Sequence, residues 1–224
     1  MIFINSKLIW LKYDVKLDKL INVNPTYNCI AILDSGVGGL SIVNYLAKLN
    51  PFLTFMFYKD SDNFPYGNKD KETLINIGLN CIDKIKKYNP KMLCIACNTL
   101  CCALKDYTFS FKVIKINELI VKQCKDHLKT GKHILVLSTL FTKESLFYQS
   151  SLKDYKLTIK DCNKLVKQIE SNKIDKQYVL NLVSDDTYDA IILGCTHFNY
   201  IHDLIDKNGL IFDGLSYLLQ EINY

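Results

Sequence analysis

The sequence predicts an α/β fold of two similar lobes, each a mostly parallel sheet flanked by helices, with the active site in the cleft between them. Three observations predict it. Short, continuously apolar runs alternate with stretches of helical period, the pattern of parallel strands buried on both faces. The segment Leu93-Cys94-Ile95-Ala96-Cys97-Asn98-Thr99 is echoed by Ile191-Ile192-Leu193-Gly194-Cys195-Thr196-His197. The polar clusters follow strands, and open parallel sheets bind ligands beyond the carboxyl ends of their strands.

Residues 1–28 carry no clear pattern and are read as an N-terminal extension of unknown role. Cys29–Leu33 is a buried type of strand; Asp34-Ser35-Gly36-Val37-Gly38-Gly39 follows, then a helix from Leu40 to about Leu49. Phe52–Tyr58 predicts a second strand, ending in Lys59-Asp60 ahead of the loop Phe64-Pro65-Tyr66-Gly67. From Lys69 to Lys87, Leu74, Ile77, Cys81 and Ile85 fall on one helical face. Met92–Ala96 predicts a third strand, after which Cys97-Asn98-Thr99 opens a short helix. In the second half, Lys112–Ile116, His133–Leu137 and Ala190–Gly194 read as strands, and Thr142–Ser150 and Cys162–Ser171 as helices. The expected lobes are 29–118, completed by 208–224, and 119–207. With four prolines and no Pro/Gly-rich linker, the lobes should pack together rather than hang on a tether.

The 224 residues, 49% of them hydrophobic, suffice for a substantial core. All 28 basic residues are lysine, and the net charge is a mild +5. A nucleic-acid partner is not expected, because base and phosphate recognition favours the arginine fork. The same absence means that a substrate carboxylate must be gripped by backbone N–H groups, hydroxyls, amides or lysine. No run of about 18 apolar residues suggests a membrane span. The stretch from Met1 to Trp10 is interrupted by Lys7 and lacks the form of a secretory leader. Nine cysteines, an odd number with Cys101 and Cys102 adjacent, fit reduced thiols in the cytoplasm.

A cysteine between a strand and a helix meets unpaired backbone N–H groups, which favour its thiolate and are expected to lower its pKa from about 8.5. A thiolate is a competent general base and a thiol a competent acid. Inverting a stereocentre requires one of each, on opposite faces of the carbon. Cys97 and Cys195, in matched contexts, are the candidates for that pair. His197 is close enough in sequence to set the charge of Cys195, and Asp34 can do likewise near Cys97 or accept from a substrate amine. Glu118 and Glu170 are further candidates as orienting groups.

Two other chemistries fit less well. Cys94 and Cys97 have Cys-x-x-Cys spacing, but residues three apart on a strand face opposite ways and no second pair accompanies them, so no metal site is expected. Gly36-Val37-Gly38-Gly39 has the outline of a dinucleotide loop, but Ser41 stands where the third glycine belongs and Asp34 would oppose a pyrophosphate.

Together these residues resemble the glutamate racemase family, within the wider aspartate/glutamate racemase fold. The resemblance lies in Asp34 to Ser41, in Asp60 with Phe64-Pro65-Tyr66-Gly67, in Ala96-Cys97-Asn98-Thr99 and in Leu193-Gly194-Cys195-Thr196-His197. It runs from about residue 29 to residue 213, with weaker likeness through Val136–Tyr148 and Leu165–Glu170. It implies that Cys97 and Cys195 are the acid–base pair, and that Asp34, Ser35, Tyr66, Gly67, Asn98, Thr99, Thr196 and His197 contact the amino acid or tune the thiols. It implies interconversion of L- and D-glutamate with no cofactor, supplying D-glutamate for peptidoglycan, by a chain that often forms a homodimer. The sequence departs from the resemblance at Asn163 and Lys167, where prolines are expected, at Ser138, where glycine is common, and at Asn199-Tyr200 after Phe198. An aspartate racemase, another two-cysteine epimerase, or a homologue retained as a binding protein are the alternative readings.

Overall fold

The computed structural model describes residues 8–184, 188–205 and 209–223. Residues 1–7 of the expected N-terminal extension, and 206–208 at the expected lobe boundary, lie outside the described residues.

A hairpin comes first, β1 (Leu8–Asp14) and β2 (Lys19–Asn22). Strand and helix then alternate: β3 (Ile30–Asp34), α1 (Gly38–Leu49), β4 (Phe55–Lys59), α2 (Lys71–Lys86), β5 (Met92–Ile95), α3 (Asn98–Ala103), β6 (Val113–Lys115) and α4 (Ile116–His127). The second sheet begins with β7 (His133–Ser138), followed by α5 (Leu140–Glu144), α6 (Phe147–Ser151), β8 (Lys156–Asp161), α7 (Asn163–Glu170), α8 (Lys176–Leu182) and β9 (Ala190–Gly194). A 3-10 segment, Thr196–Ile201, leads to α9 (His202–Ile205), β10 (Leu210–Phe212) and α10 (Leu215–Asn223).

The first sheet has the order β2-β1-β4-β3-β5-β6, and the second β10-β9-β7-β8. Every pairing is parallel except those made by β1. The expected α/β architecture with two mostly parallel, helix-flanked sheets is therefore what the chain adopts. In the first sheet β3 lies between β4 and β5, and in the second β7 lies between β8 and β9. Each centre is a switch point, where successive connections leave in opposite directions and open a crevice above the strand ends.

The strands are central because they are apolar on both faces: all five residues of β3 and all five of β9 are buried. In β7 the alternation divides two cores. Ile134 and Val136 join the large cluster that runs through the first lobe, while Leu135 and Leu137 face a second cluster with Leu165, Val166 and Ile169 of α7. One core thus spans both lobes, as the lack of a linker led us to expect.

The hairpin gives structure to residues 8–22, for which the sequence offered no pattern. β1 pairs antiparallel with β4, from Leu8 opposite Tyr58 to Leu11 opposite Phe55. Trp10 meets Tyr88 edge-on, with 5.1 Å between ring centroids, and its indole N–H donates to the Thr26 carbonyl at 3.3 Å. The expected strand from Phe52 begins only at Phe55, since Phe52 sits in a turn and is 92% exposed. The segment 208–224, expected to complete the first lobe, divides: β10 joins the second sheet beside β9, and α10 packs on α1 and α4. β8 has no counterpart among the strands expected from sequence, because its half-exposed edge residues make no continuous apolar run.

Candidate active site

The two switch points face one pocket. The loops after β3 and β5 supply Ser35, Cys97 and Thr99 from one side; those after β7 and β9 supply Thr139, Cys195, Thr196 and His197 from the other. Tyr66 and Gly67 complete it from the turn after β4. Eight of the ten site residues that the resemblance implies therefore line one cavity. Its free volume is about 20 Å³, room for about one water molecule.

Asp34 and Asn98, the other two, do not line the cavity but lie buried behind its wall. Asp34 ends β3 with no exposed surface; its Oδ2 accepts from the Gly39 N–H at 2.7 Å and from Thr196 Oγ1 at 3.2 Å. Burial raises its pKa, against the opposing pull of His197 and these donors. Asn98 Oδ1 accepts from the Tyr148 hydroxyl at 2.8 Å, tying α3 to α6 across the lobes. Glu118, a candidate from sequence, lies away from the pocket, its side chain 56% exposed and paired with Lys115 at 3.6 Å.

Both sulfurs are held where a strand hands over to a helical turn. Cys97 precedes α3; its sulfur accepts from the backbone N–H groups of Leu100 and Thr99 and lies 3.8 Å from Ser35 Oγ. Cys195 precedes the 3-10 segment; it accepts from the His197 backbone N–H, and its sulfur is 3.6 Å from His197 Nδ1. The helix starts were expected to lower both thiol pKa values. They do oppose the rise, but burial outweighs them: Cys97 is pushed up to about 12, with the nearby Asp34 carboxylate adding to the effect. Cys195 is raised too, by burial first and by the charge of Cys97 second, which puts the two sulfurs within electrostatic reach of each other. One or two backbone donors do not replace the hydration that a thiolate loses in a closed pocket.

Behind Cys195 runs a polar chain. His197 Nε2 meets Glu170 Oε1 at 3.2 Å; the same oxygen accepts from the Val37 N–H at 2.7 Å, and Oε2 lies 3.9 Å from Lys59 Nζ. Burial opposes the charge on Glu170, but hydrogen bonds from His197 and Val37 and the charges of His197 and Lys59 prevail, holding its pKa below the usual value. A carboxylate only accepts, so His197 donates from Nε2 to Glu170, and its Nδ1 faces the Cys195 sulfur. Gly36 and Gly38 are required here: a Cβ on Gly36 would lie 2.7 Å from His197 Nε2, and one on Gly38 2.7 Å from the His197 backbone nitrogen.

Sequence reasoning missed Thr139, Asn68, Asn163, Val166 and Lys167 as pocket residues. Thr139 had a readable signal, since it caps α5 directly after β7, the position that Cys97 holds after β5. Its hydroxyl lies 2.9 Å from Thr99 Oγ1, joining the lobes across the cavity. Glu170, a candidate orienting group from sequence, is the carboxylate that meets His197.

The chain is 35% identical over 193 residues to glutamate racemase from Fusobacterium nucleatum, covering 80% of this chain and 73% of that one. It belongs to the glutamate racemase family. The glutamate racemase of Clostridium acetobutylicum is 32% identical over 189 residues, with 78% and 73% of the two chains covered. Among solved structures, glutamate racemase isoform RacE1 from Bacillus anthracis superposes with a TM-score of 0.77 at 25% identity, covering 88% of this chain and 81% of that one. No family model matches the chain. The stretches that suggested the glutamate racemase family from sequence are those that meet here: the β3–α1 turn, the turn after β4, and the two cysteine-bearing strand ends.

Proposed function

We propose that the chain interconverts L- and D-glutamate by moving the α-proton between Cys97 and Cys195, with no cofactor. The observation that carries the proposal is that two buried thiols reach one pocket from equivalent positions on two lobes. An α-carbon held between them presents opposite faces to the two sulfurs. One thiolate takes the α-proton, forming S–H while the C–H electron pair passes toward the α-carboxylate. The other thiol then gives up its proton to the opposite face, forming the new C–H bond and leaving a thiolate. Each turnover so exchanges the states of the two cysteines.

In the closed pocket both thiols are held neutral by burial, so the base must be made when substrate arrives. The substrate ammonium supplies the charge that favours a thiolate within about 4–6 Å. On the second-lobe side, His197 Nδ1 is placed to receive the Cys195 proton, and Glu170 stabilises the resulting imidazolium. Hydroxyls of Ser35, Thr99, Thr139 and Thr196 are available to an α-carboxylate whose charge grows as the carbanion forms. The cavity is several times too small for an amino acid, so the lobes must part to admit one and close again to exclude water.

No helix among the described residues is long and apolar enough to cross a membrane. All nine cysteines are free. We place the activity in the cytoplasm, where reduced thiols persist, and read its product as D-glutamate for peptidoglycan. The test is racemisation in deuterated water, followed by polarimetry and proton NMR from each enantiomer. The expected result is inversion of glutamate in both directions, with solvent deuterium entering the product α-position. Inversion of aspartate with glutamate left unchanged would replace the substrate, and inversion of neither would refute the activity.

A further inference from the structure

One side of the pocket is built by α7, which contributes Asn163, Val166 and Lys167. Residues three and four apart share a helical face, so these three form one surface. Asn163 is fixed in place, its amide donating to Asn68 Oδ1 at 2.8 Å. Val166 is buried, whereas Lys167 is exposed while still lining the cavity. A lysine that is exposed and also lines a cavity can lay its stem along the wall and keep its ammonium in solvent at the opening. Asn163 and Lys167 are also the two positions where the family resemblance leads one to expect proline, which offers neither an amide nor a charge.

Lys167 is the only lysine among the described residues that line the pocket, and the chain has no arginine. Nearby cations have other partners: Lys59 faces Glu170, Lys160 donates to the Leu182 carbonyl at 2.6 Å, and Lys164 lies over the Tyr178 ring at 4.6 Å. The Lys167 ammonium makes no hydrogen bond or ion pair among the described residues. An α-carbon seated between two buried sulfurs sends its side chain outward. We infer that Lys167 binds the side-chain carboxylate of the substrate at the pocket mouth and so selects acidic over neutral amino acids of equal length. The inference rests on the proposed racemase activity and adds to it the residue that reads the substrate's second negative charge.

Steady-state kinetics of the wild type, Lys167→Met, Lys167→Arg and Lys164→Met test it. Lys167→Met should raise KM for glutamate roughly tenfold, as expected for losing one hydrogen bond to a charged group, and leave kcat within about twofold. Its inhibition constant for the neutral isostere L-glutamine should stay at the wild-type value. Lys167→Arg, which keeps the charge, should restore most of the affinity. Lys164→Met removes an equal charge one turn away, from a lysine that lies over the Tyr178 ring and does not line the pocket, and should leave KM alone. Added salt should weaken glutamate binding in the wild type more than in Lys167→Met, because screening acts on an exposed ion pair. An unchanged KM in Lys167→Met, or an equal loss in Lys164→Met, overturns the inference and leaves the racemase reading standing. A wild type inert toward glutamate overturns both.

Discussion

Strand for strand, the two lobes repeat each other. The order β4-β3-β5-β6 in the first matches β8-β7-β9-β10 in the second, and the cysteines follow the third strand of each, β5 and β9. Their surroundings differ. Cys97 sits on a true α-helical start with two backbone donors, beside the hydroxyl of Ser35. Cys195 has one backbone donor and a histidine–glutamate pair behind it. The outer edges differ as well: β4 is covered by the hairpin and four of its five residues are buried, while β8 has no buried residue. Shared topology sets where the sulfurs stand, and local side chains set the environment of each.

The strongest test of equivalence is replacement of the sulfurs. Cys97→Ser and Cys195→Ser should each reduce racemisation by about a thousandfold, within the usual range for a positioned acid–base group, with thermal midpoints close to wild type. Normal turnover in either variant would break the symmetry of role. The edges come next. Trp10→Ala should cost about 3 kcal/mol in urea unfolding, the scale for truncating a buried aromatic. Ile159→Ala on the bare edge of β8 should cost about 1 kcal/mol, since that side chain is only half-buried. Equal losses would show that the hairpin adds no packing of its own.

Smaller effects separate the environments of the thiols. His197→Asn should lower kcat about a hundredfold and Ser35→Ala about tenfold, because only the histidine can accept a proton; the reverse order would contradict the relay behind Cys195. Smallest is a response to pH. Burial raises the thiols, to about 11 for Cys81 and about 12 for Cys97 and Cys162. In the unfolded chain they titrate near 8.5. Their contribution to stability is therefore full below about pH 8.5 and is lost as pH rises toward 12. Calorimetry should show the melting temperature falling by several degrees between pH 9 and 11; an unchanged midpoint would mean that the thiols are wetter than their surroundings imply.

Much of this was legible in the amino-acid sequence, and the exceptions have physical reasons. Continuous apolar runs identified β3, β5, β7 and β9, because a central strand must be apolar on both faces. Edge strands need not be, so β2, β8 and β10 left no comparable trace. The cysteine contexts were readable because a strand end followed by a capping residue is a local pattern. The sign of the thiol shifts was not, since it depends on how completely two distant segments shut out water. Glu170 and Lys167 lie 25 or more positions from either cysteine, and only folding reveals which helical face they share with the cavity.

The hairpin has one more consequence. Without it, Phe55-Met56-Phe57-Tyr58 of β4 would offer unpaired amides and carbonyls along an apolar strand, a template on which another chain can polymerise. With it, the outermost strand is β2, four residues long, with a charged Lys19 and polar Asn22 at its ends. A sticky border is thereby exchanged for a short, charged one, and colloidal self-association is discouraged before any catalytic residue comes into play.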